Sequence, residues 1–237
     1  ITAGTTTTTY SGQNIAFAHC ADPSDPYLTE WVVEDTVAIT QEPGIGEQNQ
    51  FRDPFVWQDD GVYYMMVGSG KTGTSGGALL FTSADMRDWT YEGYIFESTY
   101  EEAGIHWECI QLLPITKKDG SEQKYVFFLT PQYADESRTV ECYYWVGTFD
   151  KTAKKFIPDA GYEAPRLLDY GYGIYTGQTG FCFRTDEQIA AGVPYEQGRS
   201  ILFAIAQGKE AGPTHNYYSG WSRNNLFMLY NVSYICN

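Results

Sequence analysis

The sequence predicts an all-β chain of β-propeller type. Three observations carry that reading: apolar residues recur with period two in short runs, the runs group into a four-strand unit that repeats, and helical pattern is nearly absent. Residues 5–10, 14–19, 62–68, 78–83, 125–130, 142–149, 175–183 and 200–207 are β-branched or aromatic runs bounded by Gly, Asp, Asn and Pro. Such bounded alternation marks strands. Only residues 185–191 have helical composition, with Thr185 or Asp186 as N-cap and Gly192 as the stop.

Grouped in order, 55–57, 62–68, 78–83 and 89–93 make one unit, turned first by Asp59-Asp60-Gly61 and then by the Gly-rich stretch 68–77. The runs 109–114, 124–130, 140–149 and 155–157 repeat it, with Asp119-Gly120 at the first turn. Four-strand meanders recurring along a chain predict propeller blades, each of which buries its faces only against its neighbours. A β-sandwich is the rival architecture. Two echoes support blades. Residues 84–89 and 21–31 both open on Ala-Asp and close on an acidic residue followed by Trp. Each reads as an outer blade turn, which places Trp31 and Trp89 in the core. Ser69-Gly70-Lys71-Thr72 lacks the upstream glycine of a phosphate loop and reads as a flexible hairpin loop.

Composition narrows the partners. Fifteen basic against thirty acidic residues give a formal net charge of −15, which repels phosphate backbones and argues against a nucleic-acid or anionic-membrane partner. No run of 18 apolar residues is present to span a bilayer. Twenty Tyr, thirteen Phe and six Trp suit both strands and the apolar faces of sugar rings. Cys20, Cys109, Cys142, Cys182 and Cys236 show no CxxC spacing, and His19, His106 and His215 show no metal or triad spacing, so neither metal nor cofactor is expected. His106 reads first as a packed or solvated side chain, with a place in the pocket beside Glu108 as the alternative. Residues 1–9 show neither a positive n-region nor an apolar h-region, and the chain opens without Met, which suggests a processed product or a fragment. Asn231-Val232-Ser233 is a glycosylation sequon of a kind chance supplies often.

The chemistry sits in two motifs, Phe51-Arg52-Asp53-Pro54 and Trp107-Glu108-Cys109, each heading a strand of successive repeats. A strand-borne Asp and Glu on neighbouring blades can converge on one sugar ring, as glycoside cleavage requires. Together with Asp169-Tyr170-Gly171-Tyr172-Gly173-Ile174-Tyr175-Thr176-Gly177-Gln178-Thr179, these motifs resemble three ordered signatures of glycoside hydrolase family 32, the invertase, inulinase, levanase and fructosyltransferase group. Residues 10–16 and 24–31 resemble the stretch upstream of the family's Arg-Asp-Pro motif.

The resemblance implies a five-bladed propeller with an axial pocket, retaining chemistry on β-fructofuranosides, and a small carbohydrate as partner. It implies Glu108 as general acid/base, held protonated by burial beside Trp107 and Cys109, and Asp53 as transition-state stabiliser, kept ionised by Arg52. Arg52, Trp107, Cys109, Tyr175, Gln178 and Trp221 are the implied substrate-binding residues, and an extracellular location follows from the same likeness.

The family's nucleophile lies in a tryptophan-x-asparagine-aspartate-proline-asparagine-glycine string that this sequence does not contain. Asp22 and Asp25 fall in an outer turn, so no residue of this chain is assigned as nucleophile. Ile110 stands where the family commonly has proline after Glu-Cys, and Gly173 where an aspartate is common. Residues 1–237 are therefore expected to form a single partial propeller, with the first blade absent, the last cut short and no C-terminal β-sandwich module. Exposed blade faces would then favour self-association. An inactive, at most sugar-binding propeller and a related arabinan- or xylan-acting furanosidase are the alternatives.

Overall fold

The computed structural model describes residues 2–6, 11–117, 121–135, 138, 141–168, 170, 174–206 and 226–231. Four antiparallel units follow one another among these residues. The first holds β1 (Thr2–Thr6), β2 (Ser11–Cys20) and β3 (Trp31–Thr40), paired in that order. The second holds β4 (Arg52–Asp59), β5 (Val62–Lys71), β6 (Ser75–Ser83) and β7 (Thr90–Ser98). The third holds β8 (His106–Thr116), β9 (Gln123–Gln132), β10 (Tyr143–Asp150) and β11 (Lys155–Pro158), with the short β12 (Arg166–Leu167) beside β10. The fourth holds β13 (Ile174–Phe183), β14 (Arg199–Ala206) and β15 (Leu226–Asn231). These are the blades of a β-propeller, as the repeat predicts.

The cores show why the blades stack. Along β5, Met65 and Val67 join Ile15, Ile39, Phe51, Leu79 and Phe81 in the seam toward the first unit, whereas Tyr64 and Met66 face the other way. Along β9, Tyr125, Phe127 and Leu129 face the second unit, while Val126 and Phe128 pack with Leu113, Ile115, Val146 and Leu202 toward the fourth. Period two thus sends alternate side chains into opposite seams. A middle blade is buried on both faces, and its inner strands read as nearly continuous apolar runs. The seam between the second and third units is aromatic, with Trp57 stacked on Tyr64 at 5.0 Å and Phe96 edge-on to Trp145 at 5.0 Å.

The expected helix is short, α1 (Asp186–Ala190), and Thr185 caps it in a reciprocal box with Gln188. The connection from β13 to β14 then returns to the other blades. Tyr195 is buried against Trp57 at 6.5 Å, while Glu196 accepts from the Tyr125 hydroxyl at 3.0 Å and pairs with Lys151 at 2.8 Å. Lys151 also pairs with buried Asp59 at the end of β4.

Three expectations change. No strand is anticipated at residues 31–40, yet β3 lies there, its β-branched residues split by Glu34-Asp35 and its pairing with β2 shifted twice. Trp31, expected in the core, is 58% exposed at the start of this edge strand, and its indole Nε1 donates to the Leu28 carbonyl. Trp89 does pack inward, beside Phe17. The Gly-rich stretch 68–77 is no flexible loop. It is mostly buried strand, with the turn confined to residues 72–74.

Glycine is needed there because β8 crosses β5 at close range. A Cβ on Gly68 would overlap the Trp107 carbonyl, one on Gly70 the Ile105 carbonyl, and one on Gly76 the Trp107 indole. The single pairing Gly70 with His106 joins the second and third units into one nine-stranded sheet. Gly68→Ala is expected to lower folding stability by about 1–3 kcal/mol, the usual cost of overpacking a filled site. A urea titration monitored by tryptophan fluorescence measures it, and an unchanged midpoint contradicts the close crossing.

Candidate active site

The two acidic motifs lie on the first strands of adjacent blades and share one backbone device. In β4 the ladder with β5 breaks between Arg52 and Phe55, and in β8 the ladder with β9 breaks between Glu108 and Gln111. Asp53 and Cys109 occupy the bulges with φ of 55° and 51°. Neither is glycine, so each left-handed residue stores about 1 kcal/mol or more of strain. Pro54 favours the break in β4, since it has no N–H to give the ladder. Ile110, buried in the aromatic seam, occupies the matching place in β8.

The bulges face each other. The Cys109 backbone N–H donates to Asp53 Oδ2 at 2.9 Å, and the Cys109 thiol approaches the same oxygen at 3.7 Å. Arg52 Nη1 donates to Glu108 Oε1 at 2.7 Å, and Gln132 Nε2 donates to Glu108 Oε2 at 2.9 Å. The second Arg52 nitrogen donates to the Asn49 carbonyl at 2.9 Å and to the Gln50 side chain. The Arg52 and Glu108 side chains are 25% and 16% exposed, so the pair is partly open to solvent. Burial, joined by the Glu108 charge, pushes the Asp53 carboxyl above its ordinary 3.8, against the Cys109 N–H and the Arg52 charge, which act to lower it. Burial beside Asp53 and Glu108 also pushes the Cys109 thiol far up.

The sequence reading is thus changed in its electrostatics. Arg52 hydrogen-bonds Glu108 rather than Asp53, and it is Asp53 that burial favours in the neutral form. Trp107 does not stand beside the carboxylates. Its indole is buried in the aromatic seam and donates to the Ala103 carbonyl at 2.8 Å, because successive strand residues point to opposite faces. Cys109 touches Asp53 from the buried side. Tyr175 and Gln178 lie on β13, which packs alongside β8, but their side chains fall outside the described residues, as does Trp221 altogether. Asp22 and Asp25 stay in the exposed turn between β2 and β3, where they accept from Ser24, Tyr27 and Thr29.

Gln132 and Glu47, the latter 2.8 Å from His106, are neighbours that sequence reading misses. Gln132 lies two residues past a strand run, yet only the cross-strand register, His106 opposite Gln132, brings it to Glu108. Among the described residues no group of three His, Cys, Asp or Glu side chains could hold a metal ion.

Adjacent blades of the propeller thus bring an Asp and a Glu into one hydrogen-bonded cluster. Residues 2–202 match the model of the glycosyl hydrolases family 32 N-terminal domain, and the chain belongs to that family. It is 32% identical over 208 residues to an acid β-fructofuranosidase of Phaseolus vulgaris, covering 80% of this chain and 30% of the relative. To the sucrose-6-phosphate hydrolase of Bacillus subtilis (strain 168) it is 30% identical over 167 residues, covering 67% of this chain and 30% of the relative. The chain therefore spans about a third of the length of these relatives. Among solved structures, the Bombyx mori GH32 β-fructofuranosidase BmSUC1 superposes with a TM-score of 0.62 at 21% identity, over 92% of this chain and 39% of that one. Fructan 1-exohydrolase IIa from Cichorium intybus gives 0.60 at 23% identity, over 83% and 35%.

The raised Asp53 pKa has a stability consequence. Between 3.8 and its raised folded value the folded chain keeps a proton that the unfolded chain releases, so stability falls as pH rises through that window. Asp53→Asn keeps an acceptor for the Cys109 N–H without the charge. It is expected to raise the thermal midpoint at pH 7 by a few degrees, with the gain disappearing below pH 3.8. Scanning calorimetry across pH checks this, and a destabilised variant at pH 7 contradicts it.

Proposed function

We propose that this chain supplies two carboxylates to the cleavage of β-fructofuranosides by a retaining mechanism. The single observation that carries the reading is the convergence of Glu108 and Asp53 from equivalent bulges of adjacent blades. Glu108 is the acid/base. It gives a proton to the leaving glycosidic oxygen and takes one from the incoming water or sugar hydroxyl. In the unliganded chain Oε1 of Glu108 accepts from Arg52 and Oε2 from Gln132. Asp53 holds sugar hydroxyls and stabilises positive charge as it grows on the ring.

The substrate class is a sucrose-, inulin- or levan-type fructoside, with fructosyl transfer as a further outcome when a sugar replaces water. The family's aspartate-proline-asparagine-glycine string does not occur in this sequence, so the nucleophile is assigned to no residue here. That observation favours a second reading, in which the chain binds a fructoside without turning it over. Residues 1–237 are proposed as one module of an extracellular enzyme. Self-association is proposed through the exposed apolar residues of β3, among them Trp31, Val32 and Val33.

Fructose release from sucrose, inulin and levan is the test. Turnover is expected once the nucleophile is also supplied, and Glu108→Gln should reduce it by about 10²–10⁴, the usual worth of a general acid, with a smaller loss on a fructoside whose leaving group needs no proton. Equal losses on both substrates would remove Glu108 from the acid role. Fructose binding without release selects the second reading, and absence of both binding and release sinks both.

A further inference from the structure

The loop between β3 and β4 does more than connect two blades, for it carries the groups that hold Arg52. Its base is fixed by Gln41, almost fully buried, whose side-chain nitrogen donates to the Ile45 and Glu47 carbonyls at 3.1 and 2.9 Å. The Glu47 backbone N–H donates to Ser69 Oγ on β5 at 3.0 Å, and Gly46, at φ 66°, leaves no room there for a Cβ. The Gln50 N–H returns to the Glu47 carbonyl at 3.0 Å. Asn49 and Gln50 then receive the Arg52 guanidinium.

The Glu47 side chain is held across the blade boundary by His106 of β8, with Nε2 2.8 Å from Oε2 and the two side chains 16% and 18% exposed. His106 stands two residues before Glu108 on the same strand, and opposite Gln132, which donates to Glu108. One short stretch of β8 therefore anchors the loop and also bears the carboxylate that the loop's arginine contacts.

We infer that Glu47 and His106 are positioning residues: their contact across the blade boundary locks the 41–51 loop so that Asn49 and Gln50 aim the Arg52 guanidinium at Glu108. The physical reason is geometric. A guanidinium shared among a carbonyl, an amide and a carboxylate keeps its direction only while all three stay put, and loops otherwise move more than strands. Two of those acceptors lie on the loop. With the anchor lost, Arg52 spends less time on Glu108. This inference rests on the proposed role of the Arg52 and Glu108 pair for its catalytic meaning, but not for its structural test.

The test compares His106→Leu, Glu47→Leu, His106→Gln and Glu47→Gln with the unchanged chain by NMR. Solvent exchange of the Arg52 guanidinium protons is the primary readout, and the backbone amides of residues 125–130 in β9 serve as the control for global opening. His106→Leu and Glu47→Leu remove the link outright and are expected to speed Arg52 exchange at least fivefold with the β9 amides unchanged. His106→Gln and Glu47→Gln, which retain a hydrogen-bonding partner, are expected to recover most of the protection. Unchanged Arg52 exchange in both leucine variants overturns the inference, and so does faster exchange that the β9 amides share. Fructose titration supplies a second arm: weaker binding in His106→Leu should vanish in an Arg52→Ala background, as it must if His106 acts through Arg52. An equal, additive loss in that background overturns it. If the unchanged chain binds no fructose, the proposed function fails while the exchange experiment still decides the positioning role.

Discussion

The missing side chain of Gly68 is the constraint on which the rest of the site depends. Gly68 pairs with Arg52 in the β4–β5 ladder, and the space its Cβ would fill is taken by the Trp107 carbonyl, with the Arg52 carbonyl close behind. The backbone that carries Arg52-Asp53 and the backbone that carries Glu108-Cys109 can approach only across this point. Once they do, the Cys109 N–H reaches Asp53 and Arg52 reaches Glu108. Gly70 and Gly76 extend the same close crossing, with the Ile105 carbonyl where a Gly70 side chain would stand and the buried Trp107 indole where a Gly76 side chain would. Tight packing here is therefore a requirement of the chemistry as well as of the core.

Charge is arranged around that crossing with little redundancy. One guanidinium acts on two acidic groups, and it hydrogen-bonds Glu108. Asp53 accepts from the Cys109 backbone N–H beside the Cys109 thiol, and burial is the largest influence on its pKa. Holding a carboxylate under those conditions works against stability at neutral pH, as does left-handed backbone at two residues that are not glycine. The aromatic seam beneath, from Trp57 through Phe96 and Trp107 to Trp145, supplies the packing that keeps this strained pair in place.

Much of this was legible in the sequence, and the reason is the repeat. Period-two runs located the inner strands because their residues are buried on both faces, and turn residues such as Asp59-Asp60-Gly61 bounded them. The acidic motifs were legible for the same reason, since each opens the first strand of a blade. What remained hidden depends on distance across strands. The sequence shows that Arg52 adjoins Asp53, and adjacency suggested a pair, but alternation sends neighbouring side chains apart and Arg52 bonds across the blades to Glu108. Gln132 and Glu47 approach the site through register and loop path, for which local composition carries no signal. The glycines of residues 68–77 misled in the opposite sense, because a run that suits a mobile loop also suits two backbones in contact. β3 escaped because its acidic centre interrupts the apolar pattern at an edge where no second face is buried.

The site also has an internal symmetry that explains its motif spacing. Arg52 and Glu108 are the last paired residues before equivalent bulges, Asp53 and Cys109 are the bulged residues, and Phe55 and Gln111 resume the ladders. Two successive blades thus offer the same backbone socket, one repeat apart. Each interaction between the motifs joins equivalent positions: bulge to bulge from Cys109 to Asp53, and flank to flank from Arg52 to Glu108. Had both blades carried the same residues, each contact would set like against like, acid on acid or cation on cation. Complementary residues at matched positions turn the repeat into a site, so the distance in sequence between the two motifs is set by the length of one blade. A residue inserted between Asp53 and Glu108 would be tolerated in an outer turn, where the blade can absorb it, and would separate the pair if placed within β5 or β8, where a one-residue slip reverses every following side chain.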